Sequence, residues 1–221
     1  VVTSNSKGAV TRGFINDHIL NIPNKLGGRF SIWSAMGISL SLLAGKENFD
    51  NFLMGARKMD KHFYDAKVLQ NLPVMMALIS IWNRTFLNFS TQLVVSYSSE
   101  FDNLVPYLQQ LEMESLGKTI DKEGTRVCYP TSSVIWGGSG FDAQHAYFQL
   151  LHQGTDIVPT TFIEIVEDEA DTNNLPVSSY TRENIRAQAD ALAMGSPLNG
   201  FDGNRPSSVI SINGISPNNL G

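Results

Sequence analysis

Two glutamates, an arginine and a histidine, set among glycines and glutamines, are the residues of this 221-residue chain whose types and spacing could do chemistry. The stretch YLQQLEMESLGK runs from Tyr107 to Lys118 and carries Gln110, Glu112 and Glu114. On a helix, Gln110 and Glu114 are four apart and share a face, while Glu112 points elsewhere. A carboxylate set against apolar neighbours such as Leu111 and Met113 has a raised pKa and can serve as a general base. The competing reading is a solvated helix end, because most glutamates are exposed.

A second stretch, NKLGGRFSIWSAMG, places Arg29 behind Gly27 and Gly28. Two glycines let the backbone turn tightly, and a helix start with its N–H groups favours an anion. Arg29 adds a permanent positive charge. The plainer alternative is a helix start with a surface arginine. In a third stretch, His145 follows the glycine-rich WGGSG at the beginning of DAQHAYFQLLHQG. His145 and His152 are seven apart, not the four of a helical zinc pair, so no metal is expected. Cys128 is the only cysteine, which excludes an internal disulfide and a cysteine-based metal site. It reads as a small, partly buried hydrophobe, compatible with a reducing cytosol. No dinucleotide fingerprint, Walker loop, nucleophile elbow or H-E-x-x-H motif is present.

The elements that must position these residues alternate between strand and helix, which implies an α/β fold. The expected architecture is a doubly wound, mainly parallel sheet flanked by helices, with ligands at the carboxyl ends of its strands. GGRFSIWSAMGISLSLLAG reads as one buried helix. NFDNFLMGARKMDKHF is a helix with Phe49, Phe52, Leu53, Ala56 and Met59 on one face. LPVMMALISIWN is apolar nearly all round, as a central helix would be. Gln92 to Tyr97 reads as a strand. Pro106 suits a first helical turn, so a helix begins near Val105. SSVIWGGSG reads as a strand followed by a glycine loop, and DAQHAYFQLLHQG as the next helix. TTFIEIVED and SSVISING are strands, with the helix RENIRAQADALAMG between them. The acidic, polar stretch from Glu167 to Ser179 reads as a surface connection. The terminal SPNNLG resembles a helix start capped by Ser216 or Asn218.

At 42% hydrophobic residues, the chain can bury one sizeable core, or a domain plus part of another. A net charge of -5 argues against a nucleic acid or polybasic membrane partner. No apolar run reaches a bilayer span. The opening VVTSNSKGAV has no signal-peptide apolar region and no initiator methionine, so the chain is expected to be cut from something longer.

In this order, NKLGGRFSIWSAMG, YLQQLEMES, QHAYFQLLHQGT and GNRPSS resemble the signature segments of the phosphoglucose isomerase family, across essentially the whole chain. The resemblance implies a pair of sugar-isomerase (SIS) domains. Residues 1–25 would end the first domain and connect it, and residues 26–221 would form a second domain truncated at its C-terminus. It implies a cytoplasmic aldose–ketose isomerase of glycolysis and gluconeogenesis. Such an enzyme interconverts glucose 6-phosphate and fructose 6-phosphate through an enediolate, with no metal and no cofactor. Glu114 would be the base that shuttles a proton between C1 and C2, leaving Glu112 solvated. Arg29 would stabilise the enediolate, and Gly28, Arg29 and Gln110 would bind the open-chain sugar. His145 would assist ring opening in the site of the neighbouring subunit of a homodimer.

The chain departs from the family pattern at Leu116, where asparagine is common. It departs again at Phe141 and Asp142, where a threonine-asparagine pair is usual, and through VSYSSEFDNL. The family's phosphate-gripping loop would precede Val1, and its ring-opening lysine would follow Gly221. The remainder of the polypeptide is therefore expected to be needed, and these residues alone would be poorly active and marginally folded. Two alternatives stand beside the enzyme. One is a non-catalytic SIS-type module that binds sugar phosphate and regulates a partner, for which an enolising base is superfluous. The other is a structural fragment with no function of its own.

Overall fold

The computed structural model describes residues 1–166 and 177–221. The connection expected from Glu167 onward lies outside the described residues as far as 176. The chain forms two compact units, Val1–Asp65 with Ser216–Gly221, and Ala66–Ile215.

In the first unit, β1 (Val2–Thr3) pairs in parallel with β2 (Leu20–Asn21). Helix α1 (Ser6–Thr11) starts under Asn5, whose side chain accepts from Gly8 N at 2.9 Å. The segment expected as one helix over 27–45 is broken once and is largely 3-10 helix. A 3-10 helix spans Gly28–Trp33, a second spans Ala35–Gly37, and only α2 (Ile38–Ala44) is α-helical. The break is Ser34, extended at φ -122 and ψ -164, whose hydroxyl accepts from Met36 N at 3.4 Å. A serine hydroxyl that bonds its own backbone offers the chain an alternative to helix. Helix α3 spans Lys46–Asp65, and Trp33 stacks on Phe52 with ring centroids 4.7 Å apart.

The second unit begins with α4 (Leu72–Ile81), capped by Asn71, with Pro73 in its first turn. A single π turn, Trp82–Phe86, continues it. This helix is not central here. Leu72, Met76, Leu78, Ile79, Ile81 and Trp82 are exposed, because no described element supplies an apolar layer against them. Strands β3 (Thr91–Ser96), β4 (Val134–Ser139), β5 (Thr160–Ile165) and β6 (Ser207–Ile212) form one all-parallel sheet in the order β4-β3-β5-β6.

Between β3 and β4 lie α5 (Leu104–Leu108), a π turn (Gln109–Met113) and α6 (Glu114–Leu116). Helices α7 (Gly140–Ala146) and α8 (Phe148–Gln153) lead to β5, and α9 (Val177–Met194) leads to β6. Helix α10 (Pro217–Leu220) ends the chain in the first unit, with the Ser216 hydroxyl accepting from Asn219 N at 3.2 Å. There α10 meets α3 backbone to backbone. A Cβ built at Gly55 would lie 1.9 Å from Asn218 O, so no larger residue fits. Asn218 also donates to Asn51 O at 3.1 Å and accepts from Lys58 Nζ at 2.6 Å.

The sheet is covered on both faces, as its doubly wound order requires. Leu93, Val95 and Phe162 pack with Ala143, Phe148, Leu151, Ile185 and Leu192 from α7, α8 and α9. On the other face, Val94, Ile135 and Ile163 pack with Val105, Leu104, Leu108 and Met113. Full burial of one such aliphatic side chain is worth about 1.5–3 kcal/mol.

Three further expectations change. Two of the three glycines of WGGSG, Gly137 and Gly138, lie inside β4 rather than in a loop after it, and Gly140 opens α7. The helix expected through DAQHAYFQLLHQG is two helices, broken at Tyr147 (φ -142, ψ 3), where the ring meets Trp136 edge-on at 4.8 Å. Cys128 is exposed, not partly buried, just beyond the Ile120–Arg126 bridge of a surface hairpin. Among the described residues, no helix is long and apolar enough to cross a membrane.

Candidate active site

The order β4-β3-β5-β6 places the switch in winding direction between β3 and β5, and the carboxyl ends of strands at such a switch are where ligands bind in open α/β sheets. Tyr97 follows β3 directly at that point. Its hydroxyl donates to Gln188 Oε1 of α9 at 2.8 Å and accepts from Gln144 Nε2 of α7 at 3.2 Å. Its ring fills the space beside Gly140, where a Cβ would come within 2.4 Å of Cζ. Burial pushes the Tyr97 hydroxyl pKa up, against the opposing pull of the two glutamine hydrogen bonds. Helix α7 is therefore anchored at its first residue and again at Gln144. His145, next in sequence, is exposed in its last turn.

The carboxylate segment is built from the sheet outward. Pro106 sits in the first turn of α5, where a missing N–H costs nothing. Leu104, Val105, Leu108 and Met113 face the sheet. Gln110 and Glu114 are both exposed, and Glu112 is half-buried. The expectation of a solvated Glu112 is thus corrected. The segment does not keep 3.6 residues per turn through Gln109–Met113, and burial there pushes the Glu112 carboxyl pKa up. Gln109 Nε2 donates to Ile135 O at 2.9 Å, and Ile135 N donates to Met113 Sδ at 3.5 Å. At the segment's end, Lys118 Nζ donates to the carbonyls of Ser115 (3.1 Å) and Glu114. A cation there complements the helix dipole.

Arg29 belongs to the first unit. It is the second residue of the 3-10 helix Gly28–Trp33 and is half-buried, with its guanidinium carbon 5.9 Å from the Phe30 ring centroid. Gly27 is extended at φ -68, and neither Gly27 nor Gly28 has a positive φ. The backbone therefore does not need glycine here for its conformation. At Gly28 a Cβ would meet nothing within 4 Å. The six-residue 3-10 stretch also replaces the long α-helix on which the dipole argument for an anion rested.

Within the second unit, Gln110 and Glu114 share one exposed side of one segment, and His145 stands on α7. The GNRPSS arginine, Arg205, is buried and clasps the turn after α8. Its guanidinium donates to Gly154 O (2.7 Å) and Asp156 O (2.9 Å). Burial, then the Arg205 charge, push the pKa of His152 down. Sequence reasoning gave no contact to Tyr97 or Gln109 and named Met113 only as an apolar neighbour of the carboxylates; the structure adds the hydrogen bonds of all three. The only visible sign of Gln109 was its place beside Gln110 in the pair QQ.

The family model described as phosphoglucose isomerase matches residues 1–221. Glucose-6-phosphate isomerase of Burkholderia lata is 40% identical over all of this chain and 44% of its own length. That of Methylocella silvestris is 39% identical over 95% of this chain and 42% of its own length. The crystal structure of a glucose-6-phosphate isomerase from Chlamydia trachomatis superposes with a TM-score of 0.84 at 37% identity, covering 91% of this chain and 41% of that one. These names do not favour the regulatory-module alternative. The chain spans less than half the length of these relatives, and it belongs to the phosphoglucose isomerase family.

Proposed function

We propose that the full-length polypeptide carrying this chain interconverts glucose 6-phosphate and fructose 6-phosphate. The observation that carries this reading is the family match over all 221 residues, with Arg29, Gln110, Glu114 and His145 standing in its signature segments. In the open-chain aldose, the Glu114 carboxylate takes the C2 proton, and the electron pair moves onto the carbonyl oxygen to give a cis-enediolate. The same carboxyl returns the proton to C1, giving the ketose, while a proton passes between the two oxygens. A positioned carboxylate and a cation beside the developing oxyanion are what this step needs. Glu114 supplies the first and Arg29 the second. Gln110 and Gly28 hold the sugar.

His145 assists ring opening in the neighbouring subunit of a homodimer. The phosphate grip and a ring-opening lysine come from the remainder of the polypeptide. Residues 1–25 end the first SIS domain and residues 26–221 belong to the second. The enzyme works in the cytoplasm in glycolysis and gluconeogenesis.

The test is turnover of fructose 6-phosphate by the full-length protein, wild type against Glu114→Gln. Wild type turns over, and the variant, folded, falls by about 10²–10⁴-fold. An active Glu114→Gln enzyme removes Glu114 as the base. A wild type that binds the sugar phosphate without converting it overturns the isomerase reading.

A further inference from the structure

Both backbone hydrogen-bonding groups of Ile135 are taken by side chains of one short segment. Ile135 lies in β4, an edge strand of the four-stranded sheet, and an edge backbone is ordinarily left to water or covered by another element. Here the Gln109 amide donates to its carbonyl at 2.9 Å, and its N–H donates to the Met113 sulfur at 3.5 Å. Gln109 and Met113 are the first and last residues of the π turn, and Glu114 follows directly.

π turns are rare and need support, since each carries one residue more than the α-helical turn it replaces. Relaxation of this one to α-helix would shift the phase of every later residue by about one position, roughly 100° around the axis. Glu114 would then turn away from its present direction relative to Leu104, Val105 and Leu108, which anchor the segment to the sheet before the turn. Met113 supports the clamp twice, through its sulfur and through packing against the Val94, Ile135 and Ile163 cluster.

We propose that Gln109 and Met113 are positioning residues that lock the π turn to the edge of β4 and thereby aim the Glu114 carboxylate. This rests on the reading of Glu114 as the proton-transferring base. Gln109 touches no substrate in this scheme, and its action passes through the backbone of 109–113.

The experiment uses the full-length enzyme with fructose 6-phosphate as substrate, and Glu114→Gln as the reference. Gln109→Leu removes the donor at similar volume, and kcat is expected to fall about 10–100-fold with KM within about two-fold, the scale of an angstrom-sized misplacement. Gln109→Glu gives the signature that a merely structural role would not move. A carboxylate cannot donate to Ile135 O, but its protonated form can. The ratio of Gln109→Glu to wild-type kcat therefore climbs as pH falls, while the Gln109→Leu ratio stays flat. Met113→Leu conserves volume, folds, and loses kcat several-fold.

Wild-type kcat in Gln109→Leu overturns the proposal, as does a loss no larger than the fraction unfolded. If Gln109→Leu fails to fold, a flat Gln109→Glu ratio together with wild-type kcat in Met113→Leu does the same. An inactive Glu114→Gln beside a normal Gln109→Leu overturns the clamp alone. A fully active Glu114→Gln overturns the base, and the clamp falls with it.

Discussion

Glu164 lies wholly inside the sheet, and its Oε1 accepts hydrogen bonds from Arg186 Nη2 at 3.0 Å and from Ser211 Oγ at 2.5 Å. Burial is the largest influence on this carboxyl and pushes its pKa up. The two hydrogen bonds, with the charges of Arg186 and Arg182, outweigh it and hold the pKa below the usual range. A depressed folded-state pKa contributes stability above the unfolded value, and that stability is lost as pH falls through the folded one. Thermal melts of the full-length protein from neutral to acid pH will show a decline that Glu164→Gln lacks. Arg186→Met leaves a buried carboxylate without its cation. It lowers the midpoint at neutral pH, by an amount that shrinks in acid.

Glu112 carries the opposite sign. Burial raises its pKa, so its stability contribution is complete below the unfolded value and is lost as pH rises through the folded one. Glu112→Gln will raise the midpoint at neutral pH and leave it unchanged in acid. A variant no more stable than wild type at neutral pH would show that the carboxylate is hydrated.

Tyr97→Phe removes the hydroxyl joining Gln144 of α7 to Gln188 of α9. Two half-buried amides then lose a partner, at a cost of about 1–3 kcal/mol. Denaturant melts will record it. Adding Gln188→Leu to Tyr97→Phe should cost less than the sum of the single changes, since the two share one bond.

Gly55→Ala forces a methyl group against the Asn218 carbonyl. Overpacking of this kind costs about 1–3 kcal/mol, and here it acts by lifting α10 from α3. Amide exchange over residues 217–221 will speed up in the variant and remain at the wild-type rate in Lys61→Ala on the exposed side of α3.

Periodicity made legible what depends on one face meeting one core. The β-branched runs at 91–96, 160–165 and 207–212 became strands, and Phe49, Phe52, Leu53 and Ala56 became the half-buried side of α3, though Met59 is exposed. Where a tertiary partner decides, the pattern misled. Ser34 divides 27–45 through its own hydroxyl, and Tyr147 divides the histidine stretch where it meets Trp136. Gly137 belongs to β4 because the strand passes so close to Val94 that a Cβ would lie 2.0 Å from its carbonyl. For the site, the common face of Gln110 and Glu114 could be read from a spacing of four. The half-burial of Glu112 could not, because the π turn beneath it is held by contacts to Ile135 that no spacing encodes.

The backbone contact between α10 and α3 also sets an order of assembly during synthesis. Residues 1–65 are synthesised before residues 216–221, with which they share one compact unit. At about 5–20 residues per second, translating the roughly 150 residues between them takes roughly eight to thirty seconds. Throughout that interval the face of α3 around Gly55 lacks the α10 backbone that lies against it in the folded unit.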